Sequence, residues 1–267
     1  MKIKSIFSSC VLVSLLFVSN GCNKNPDDPS FNIFTIEDDK TLGLQVKTEI
    51  ENNPSQYPLL DESTNQAQYT YIRAIVTKIL DAGKVYYKDE FPWEVRIIKD
   101  DNIVNAFCVP GGYMYVYTGL IKYLDSEDEL AGVMGHEMAH ADRRHTTDQM
   151  TKDYGIQLLF QIVLGQNQGA ISQLAANLLT LKYSRNAETE ADEYAVTYIC
   201  PTDWKADGFK NFFQKLEDDG GGGSSDFFST HPSPEKRVIA ITDNTIKDGC
   251  TGNKIYDTEY ANFKNSL

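Results

Sequence analysis

The chain has few cysteines, and no two of them form a Cys-x-x-Cys motif. There are five in 267 residues, so a thioredoxin-like redox site is disfavoured. Basic residues are also scarce, because 25 lysines and arginines stand against 38 acidic residues and leave a formal net charge of −13. An acidic chain is not attracted to nucleic acid phosphates or to anionic lipid headgroups, so neither is an expected partner.

Apolar runs long enough to cross a membrane are also missing. A spanning helix needs about 20 apolar residues, whereas the two apolar runs of this chain cover residues 6–18 and 156–164. The first follows two lysines and has the length of a signal peptide. The second predicts a helix that packs over a cleft, faces lipid, or lies in the core.

The residues after the first run predict how the chain is processed in a bacterium. Residues 19–22 resemble a loose lipobox, so we expect cleavage before Cys22 and attachment of lipid to it. Residues 1–21 are then a signal peptide, 22–34 a flexible tether, and 35–267 one folded domain. We expect a lipid anchor in a membrane of the cell envelope, with the periplasmic side and the outer membrane favoured. Secretion without a lipid is the alternative.

Export bears on the remaining cysteines, because it delivers them to an oxidising compartment. Cys200 ends a predicted helix and Cys250 lies in a C-terminal loop, so a Cys200–Cys250 disulfide is expected. Cys108 is then left unpaired, and we expect it to be buried in a strand.

Histidine is scarce, and its distribution is the strongest functional signal. Three of the four histidines lie within residues 136–145. On a helix, His136 and His140 project from one face about 5–6 Å apart, so both imidazoles can bind one metal ion. Glu137 on the neighbouring strip can act as a general base toward a metal-bound water. The alternative is an ordinary helix with two surface histidines.

The flanking residues support a helix at this motif. Ser126 and Glu129 have the spacing of a capping box, and the apolar stripe that follows is Leu130, Val133, Met134, Met138 and Ala141. We interpret His145 as structural, because the long metzincin pattern places its third histidine one position later, at Thr146.

A second acidic segment supplies the ligand that two histidines leave missing. Catalytic zinc sites have three protein ligands, and Glu188 is the candidate third. Asp192 lies one helical turn later, where it can accept the remaining N–H of a ligating imidazole. Arg185 is placed to hold either carboxylate, although an exposed charged helix is the alternative. Zinc lowers the pKa of a bound water from about 15.7 to about 7, and a peptide carbonyl is the usual target of the hydroxide.

Five segments together resemble the metallopeptidase family that includes the bacterial HtpX and BepA proteins and the CAAX-type prenyl proteases. In chain order they are Leu42-Gly43, Asn105-Ala106-Phe107 with Pro110-Gly111-Gly112, the His-Glu-x-x-His helix, Tyr183-Ser184-Arg185 with Glu188, and Thr230-His231-Pro232 with Arg237. The resemblance implies a zincin-like fold and a site made of zinc ligands His136, His140 and Glu188, the base Glu137, and His231 and Arg237 beside them. The chain departs from the family at Cys108 and in lacking membrane-spanning helices.

His231 has two interpretations. The His-Pro pair can be a turn before a helix that begins at Pro234, or its imidazole can donate a hydrogen bond to the tetrahedral oxyanion. The glycines at 220–223 precede it closely. We therefore expect a mobile loop that lets His231 approach and leave the metal.

Candidate substrate contacts lie where a turn leads into the strand 113–117. Alternation places three tyrosines on one face of this strand and Met114 and Val116 on the other. At a sheet edge, such a strand can bind an extended peptide as an added strand, through Gly112, Tyr113, Met114 and Tyr115. An ordinary half-buried strand fits the pattern equally well.

Periodicity along the rest of the chain predicts a helix-rich α+β domain with a small β-sheet beside the active-site helix. The predicted helices cover 36–50, 66–80, 127–145, 171–199, 206–216 and 234–246, and the predicted strands cover 93–99 and 113–117.

These patterns together predict a lipid-anchored, zinc-dependent endopeptidase of the cell envelope. The family resemblance adds the expected substrates, which are unfolded or loop segments of misfolded or unassembled envelope proteins. One alternative is a zinc-containing binding or assembly factor with vestigial or autoinhibited peptidase activity. The other is a secreted aminopeptidase.

Overall fold

A computed structural model describes residues 32–153, 181–219, 226–231 and 236–267, with a few isolated residues between 161 and 176. In chain order the elements are α1 (Ile36–Glu51), α2 (Gln66–Asp81), β1 (Glu94–Ile98), β2 (Ala106–Val109), β3 (Tyr113–Tyr117), α3 (Thr118–Tyr123), α4 (Glu127–Asp142), α5 (His145–Asp153), α6 (Arg185–Ile199), α7 (Lys210–Asp218), α8 (Asp226–Thr230), α9 (Arg237–Lys247) and α10 (Asp257–Asn265). The predicted helix-rich α+β class is confirmed. The predicted signal peptide, Cys22, the glycine loop and, apart from Gln161, the apolar run 156–164 fall outside the described residues.

The sheet has the strand order β1-β3-β2, so β3 is its central strand. β1 runs parallel to β3, and β2 runs antiparallel to it with Cys108 opposite Met114. The predicted alternation is present, because the three tyrosines of β3 pack with α1 while Met114 and Val116 join the larger core that includes α4. Of the two alternatives for β3, the edge position is wrong, since β1 and β2 pair with both of its edges.

α4 lies at the centre of the domain, and every residue from Asp128 to Asp142 is buried. The helix packs against α6 and against β2. Because no face of α4 meets water, each polar side chain on it needs a partner inside the protein. The partners of its two histidines come from α6 and from His145 at the start of α5.

Two helix boundaries near the predicted site differ from expectation. α4 ends at Asp142 because Arg144 has a left-handed backbone, with φ of 61°, and the chain then turns into α5. α6 begins at Arg185, where the Ser184 hydroxyl accepts the N–H of Ala187 and caps the helix. The helices predicted from 206 and from 234 likewise begin later, and α3, α5, α8 and α10 were not predicted.

The capping box predicted at the start of α4 does not form. Ser126 is the N-cap residue, but its hydroxyl donates to the carboxylate of Asp128. Glu129 instead accepts the backbone N–H of Asp125, at 2.9 Å. The helix therefore starts where predicted, with a different set of hydrogen bonds.

The first described residues pack against the domain and do not form a tether. Phe34 is 4% exposed, and its carbonyl accepts a hydrogen bond from Arg144 Nη2 at 2.6 Å. Asn32 Nδ2 donates to Thr147 Oγ1 at 2.8 Å. The predicted tether therefore extends too far, because residues 32–34 belong to the folded body.

The predicted disulfide is confirmed, since Cys200 and Cys250 are bonded across 50 residues of sequence. The bridge ties the end of α6 to the segment that follows α9. Cys108 is a free, buried cysteine in β2, as expected. Among the helices that the structure describes, none has both the length and the apolar content needed to cross a membrane.

Candidate metal centre

α4 and α6 bring three candidate ligands to one point in the core. His140 Nε2 lies 3.0 Å from His136 Nε2. Glu188 places one carboxylate oxygen 3.4 Å from His140 Nε2 and the other 3.6 Å from His136 Nε2. All three side chains have no exposed surface. The structure therefore brings together the three residues that the sequence selected as ligands.

The distances and chemistry of this group fit a tetrahedral zinc ion. Zinc bonds of about 2.0–2.1 Å separate neighbouring ligands by roughly 3.3 Å, close to the separations between these donor atoms. Burial lowers the pKa of His136 and His140 well below the usual range, so both imidazoles are neutral and have lone pairs. Burial alone would raise the pKa of Glu188, but His231 and His140 outweigh it and keep that pKa well below its usual value. Two neutral nitrogens and one anionic oxygen are thus available.

Glu137 lies beside this group, with His231 Nε2 3.5 Å from its Oε1. Both of its carboxylate oxygens are buried, and neither accepts a side-chain hydrogen bond of good geometry. Burial raises the pKa of Glu137 to about 7, although His231 opposes the shift. A carboxyl group with a pKa near neutrality, in reach of a metal-bound water, has the properties of a general base.

His231 follows α8 and lies between the two carboxylates. Its Nδ1 is 3.1 Å from Glu188 Oε1, and its Nε2 is 3.5 Å from Glu137 Oε1. Burial would lower the pKa of His231, but the charges of these two carboxylates raise it. The imidazole stacks on the Phe227 ring, with centroids 4.4 Å apart. One ligand atom from each of His136, His140, Glu188 and His231 lies within 4.8 Å of the others, so His231 is close enough to be a fourth donor.

Asp192 and Arg237 contact the ligands His136 and Glu188 and hold them in position. Asp192 Oδ1 is 2.9 Å from His136 Nδ1 and accepts a hydrogen bond from Arg237 Nη2 at 2.7 Å. Arg237 Nη1 lies 3.4 Å from Glu188 Oε2, and the guanidinium has no exposed surface. Burial raises the pKa of Asp192 to about 6, against the opposing charge of Arg237.

Arg185 does not have the role predicted for it. Its side chain is exposed at the start of α6, and it makes no hydrogen bond or ion pair with Glu188 or Asp192. Arg237 binds both carboxylates instead, from a helix that is remote in sequence.

Two aromatic contacts were missed by sequence reasoning. The Tyr183 ring stacks on His140, with centroids 3.9 Å apart, and its hydroxyl is 2.9 Å from Thr146 Oγ1. Phe227 precedes His231 by one helical turn, and this spacing was a signal for the stacking between them. Tyr183 lies just before the cap of α6, where no periodicity marks it.

The predicted substrate contacts lie in the wrong place for strand addition. Gly112 is in the turn before β3, and Tyr113, Met114 and Tyr115 are buried in the central strand. Their backbone groups already pair with β1 and β2, so they have no free edge for a peptide.

The sequence profile of peptidase family M48 matches residues 66–245 of the chain. That range holds all of the side chains that surround the candidate metal position. The chain belongs to peptidase family M48. This confirms the family indicated by the five motifs.

Several metallopeptidases are similar to this M48 member. It is 37% identical over 158 residues to the mitochondrial metalloendopeptidase OMA1 of Arabidopsis thaliana, covering 58% of this chain and 32% of that protein. It is 32% identical over 162 residues to a putative beta-barrel assembly-enhancing protease of Vibrio cholerae, covering 55% and 33%. It is 25% identical over 265 residues to the metalloprotease LoiP of Escherichia coli, covering 93% and 99%. The chain thus spans about a third of the first two proteins and nearly all of the third.

Proposed function

We propose that this M48 member is a zinc-dependent endopeptidase. The observation that carries the proposal is the carboxylate of Glu137, which accepts no side-chain hydrogen bond of good geometry and is buried beside two neutral imidazoles and the ionised Glu188. A site that only holds a metal has no need of a second buried acid with so few partners, whereas hydrolysis needs a base at this place.

The residues around the metal position have distinct roles in the proposed reaction. The two imidazoles and Glu188 would hold zinc, whose chemistry there would be to activate a water and to polarise the substrate carbonyl. Glu137 takes a proton from that water and later delivers it to the leaving amine. His231 donates its Nε2–H to the oxyanion that develops on the carbonyl oxygen. Asp192, anchored by Arg237, keeps the Nε2 lone pair of His136 directed at the metal.

The edge of β2 that faces away from β3 is the proposed binding site for substrate. Residues 58–60 cover the outer edge of β1, through hydrogen bonds from Leu60 N–H to the Ile97 carbonyl and from Lys99 N–H to the Pro58 carbonyl. In the part of the chain that the structure describes, β2 pairs only with β3, and it packs against α4. An extended segment added to β2 would bind through main-chain hydrogen bonds, which favours unfolded or loop substrates.

Removal and return of zinc tests this proposal. A chelator should abolish cleavage of unfolded casein, and one equivalent of zinc should restore it, because the three ligands supply no other electrophile. Intact-mass analysis of the products should show internal cuts. Stepwise loss of N-terminal residues would instead indicate an aminopeptidase, and a purified, zinc-loaded chain with no cleavage would contradict the enzyme assignment.

A binding or assembly factor with latent peptidase activity is a second candidate, and the position of His231 favours it. If His231 is a fourth ligand, no coordination position remains for water.

We expect His231→Ala to lower kcat for casein by about 10²–10³-fold, since one oxyanion donor is lost. A rise in cleavage in this variant would show that His231 closes the site, and would favour the latent state.

The cell envelope is the proposed location, with Cys22 as the lipid anchor and misfolded or unassembled envelope proteins as substrates. The N-terminal sequence pattern supports the anchor, and the name of the Vibrio cholerae relative supports a role in the envelope.

Cys22→Ser should move the protein from the membrane fraction to the soluble fraction. Comparison of protein N-termini in envelopes with active enzyme and with the Glu137→Gln variant would identify the substrates.

A further inference from the structure

His145 contacts one of the ligating imidazoles on the side away from the metal position. Its Nδ1 lies 2.9 Å from Nδ1 of His140, and both side chains are buried. Its other ring nitrogen, Nε2, is 3.4 Å from Glu190 Oε2. Glu190 Oε1 in turn accepts a hydrogen bond from Arg143 Nε at 2.6 Å. A continuous polar chain therefore runs from Arg143 to the ligand His140.

The acceptor at one end of this chain fixes the protons along it. Glu190 is ionised beside Arg143 and can only accept, so His145 carries its proton on Nε2. With that proton on Nε2, the lone pair of His145 lies on Nδ1, which faces His140 Nδ1 at 2.9 Å and can accept its N–H. That tautomer leaves the lone pair of His140 on Nε2, the atom that faces Glu188 and His136.

We propose that His145, held by Glu190, is a positioning residue that fixes the tautomer and ring orientation of His140 for zinc binding. This inference rests on the proposed zinc site and assigns a role to a histidine that the sequence pattern presented as structural.

The backbone between α4 and α5 explains how this arrangement arises. Arg144 has φ of 61°, and the sharp turn there lets Arg143 and His145 reach the same carboxylate of Glu190. Arg144 itself points elsewhere, since its Nε binds Asp39 at 2.6 Å. The left-handed turn thus serves to aim two side chains at α6.

The same order of groups is found behind the other histidine ligand. There His136 Nδ1 meets Asp192, which is anchored by Arg237. Both anchoring acids, Asp192 and Glu190, belong to α6, the helix that supplies Glu188. One helix therefore provides the carboxylate ligand and the anchors for both imidazoles, with His145 inserted as a spacer on the His140 side.

Zinc affinity in the full-length protein tests the inference, measured by competition with a chromophoric chelator. His145→Ala should weaken zinc binding by about 10–100-fold, the usual effect of losing a partner behind a ligand. His145→Asn retains an acceptor near Nδ1 and should stay within a few-fold of wild type. His145→Gln places its amide nearer the Nε2 position, within reach of Glu190 but not His140, and should be as weak as the alanine variant.

A matched control and a spectroscopic readout separate positioning from packing. Glu193→Gln on the same helix removes an exposed ion pair with Lys247 and should leave zinc affinity unchanged. Long-range nitrogen NMR of the zinc-loaded protein should show that the Nδ1–H of His140 is protected from exchange with solvent in wild type and in His145→Asn. In His145→Gln this protection from exchange should be lost.

The inference fails if the alanine variant binds zinc within twofold of wild type, or if the asparagine and glutamine variants are equally weak. The second comparison remains informative if His145→Ala does not fold. A wild-type protein that binds no zinc would overturn the proposed function itself, so the two failures are distinguishable.

Discussion

Glu137→Gln is expected to abolish peptide cleavage while leaving zinc bound. Glutamine has the shape of glutamate but cannot take a proton from water, and loss of a general base costs about 10²–10⁴-fold in kcat. Zinc affinity should stay unchanged, because Glu137 is not among the ligand atoms on His136, His140 and Glu188. Casein cleavage and zinc stoichiometry on the same preparation give both measurements.

The same substitution should also change how stability depends on pH in the zinc-free protein. Burial raises the pKa of Glu137 to about 7 from a usual value near 4.5. A carboxyl with a raised pKa favours the folded state while it is protonated, and that contribution is lost as the pH rises through about 7. Between pH 5 and pH 8, wild type should therefore lose more stability than Glu137→Gln. Thermal unfolding in chelator at several pH values gives the comparison.

Glu129→Gln is the matched control for the cleavage measurement. Glu129 is also buried on α4, and its hydrogen bond from the Asp125 N–H can be kept by a glutamine oxygen. This variant should cleave casein like wild type. Retained cleavage in Glu137→Gln would remove Glu137 from the mechanism, and unchanged cellular function in a fully inactive variant would favour the binding or assembly role.

The parts of the site that sequence reasoning located are those set by local geometry. His136 and His140 are one turn apart, so helical periodicity alone places them on one face. Glu188 and Asp192 are likewise one turn apart on α6, and both meet the imidazoles. Where the partner is remote in sequence, local spacing failed. Arg185 is near the carboxylates along the helix, yet they are bound by an arginine from α9.

The sheet shows a similar limit. Alternating side chains identified the two faces of β3 correctly, because alternation is a property of a single strand. The position of β3 between β1 and β2 depends on pairing with two other segments, and nothing within Tyr113–Tyr117 encodes it. The same holds for His145, whose contact with His140 depends on a left-handed turn at a non-glycine residue that periodicity does not reveal.

Arg237→Met is expected to destabilise the zinc-free protein by about 3–5 kcal/mol, because it leaves two buried carboxylates without their shared cation. Arg237 Nη2 donates to Asp192 at 2.7 Å, and Nη1 lies 3.4 Å from Glu188. Methionine retains the apolar contact with the Phe213 ring, over which the guanidinium lies at 3.7 Å. Chemical denaturation in chelator measures the loss, and added zinc should reduce it by supplying positive charge beside Glu188.

The loss in this variant should grow as the pH rises from 5 to 8. Burial already raises the pKa of Asp192 to about 6, and Arg237 opposes that shift, so removing the arginine raises the pKa further. The folded state then favours a protonated Asp192 more strongly, and stability falls as the pH rises through the new value. Arg73→Met is the control, since Arg73 pairs with Glu62 at the surface and is 46% exposed. That surface pair should contribute about 0–1 kcal/mol to the free energy of unfolding. Equal losses of stability in Arg237→Met and Arg73→Met would show that the buried carboxylates do not depend on Arg237.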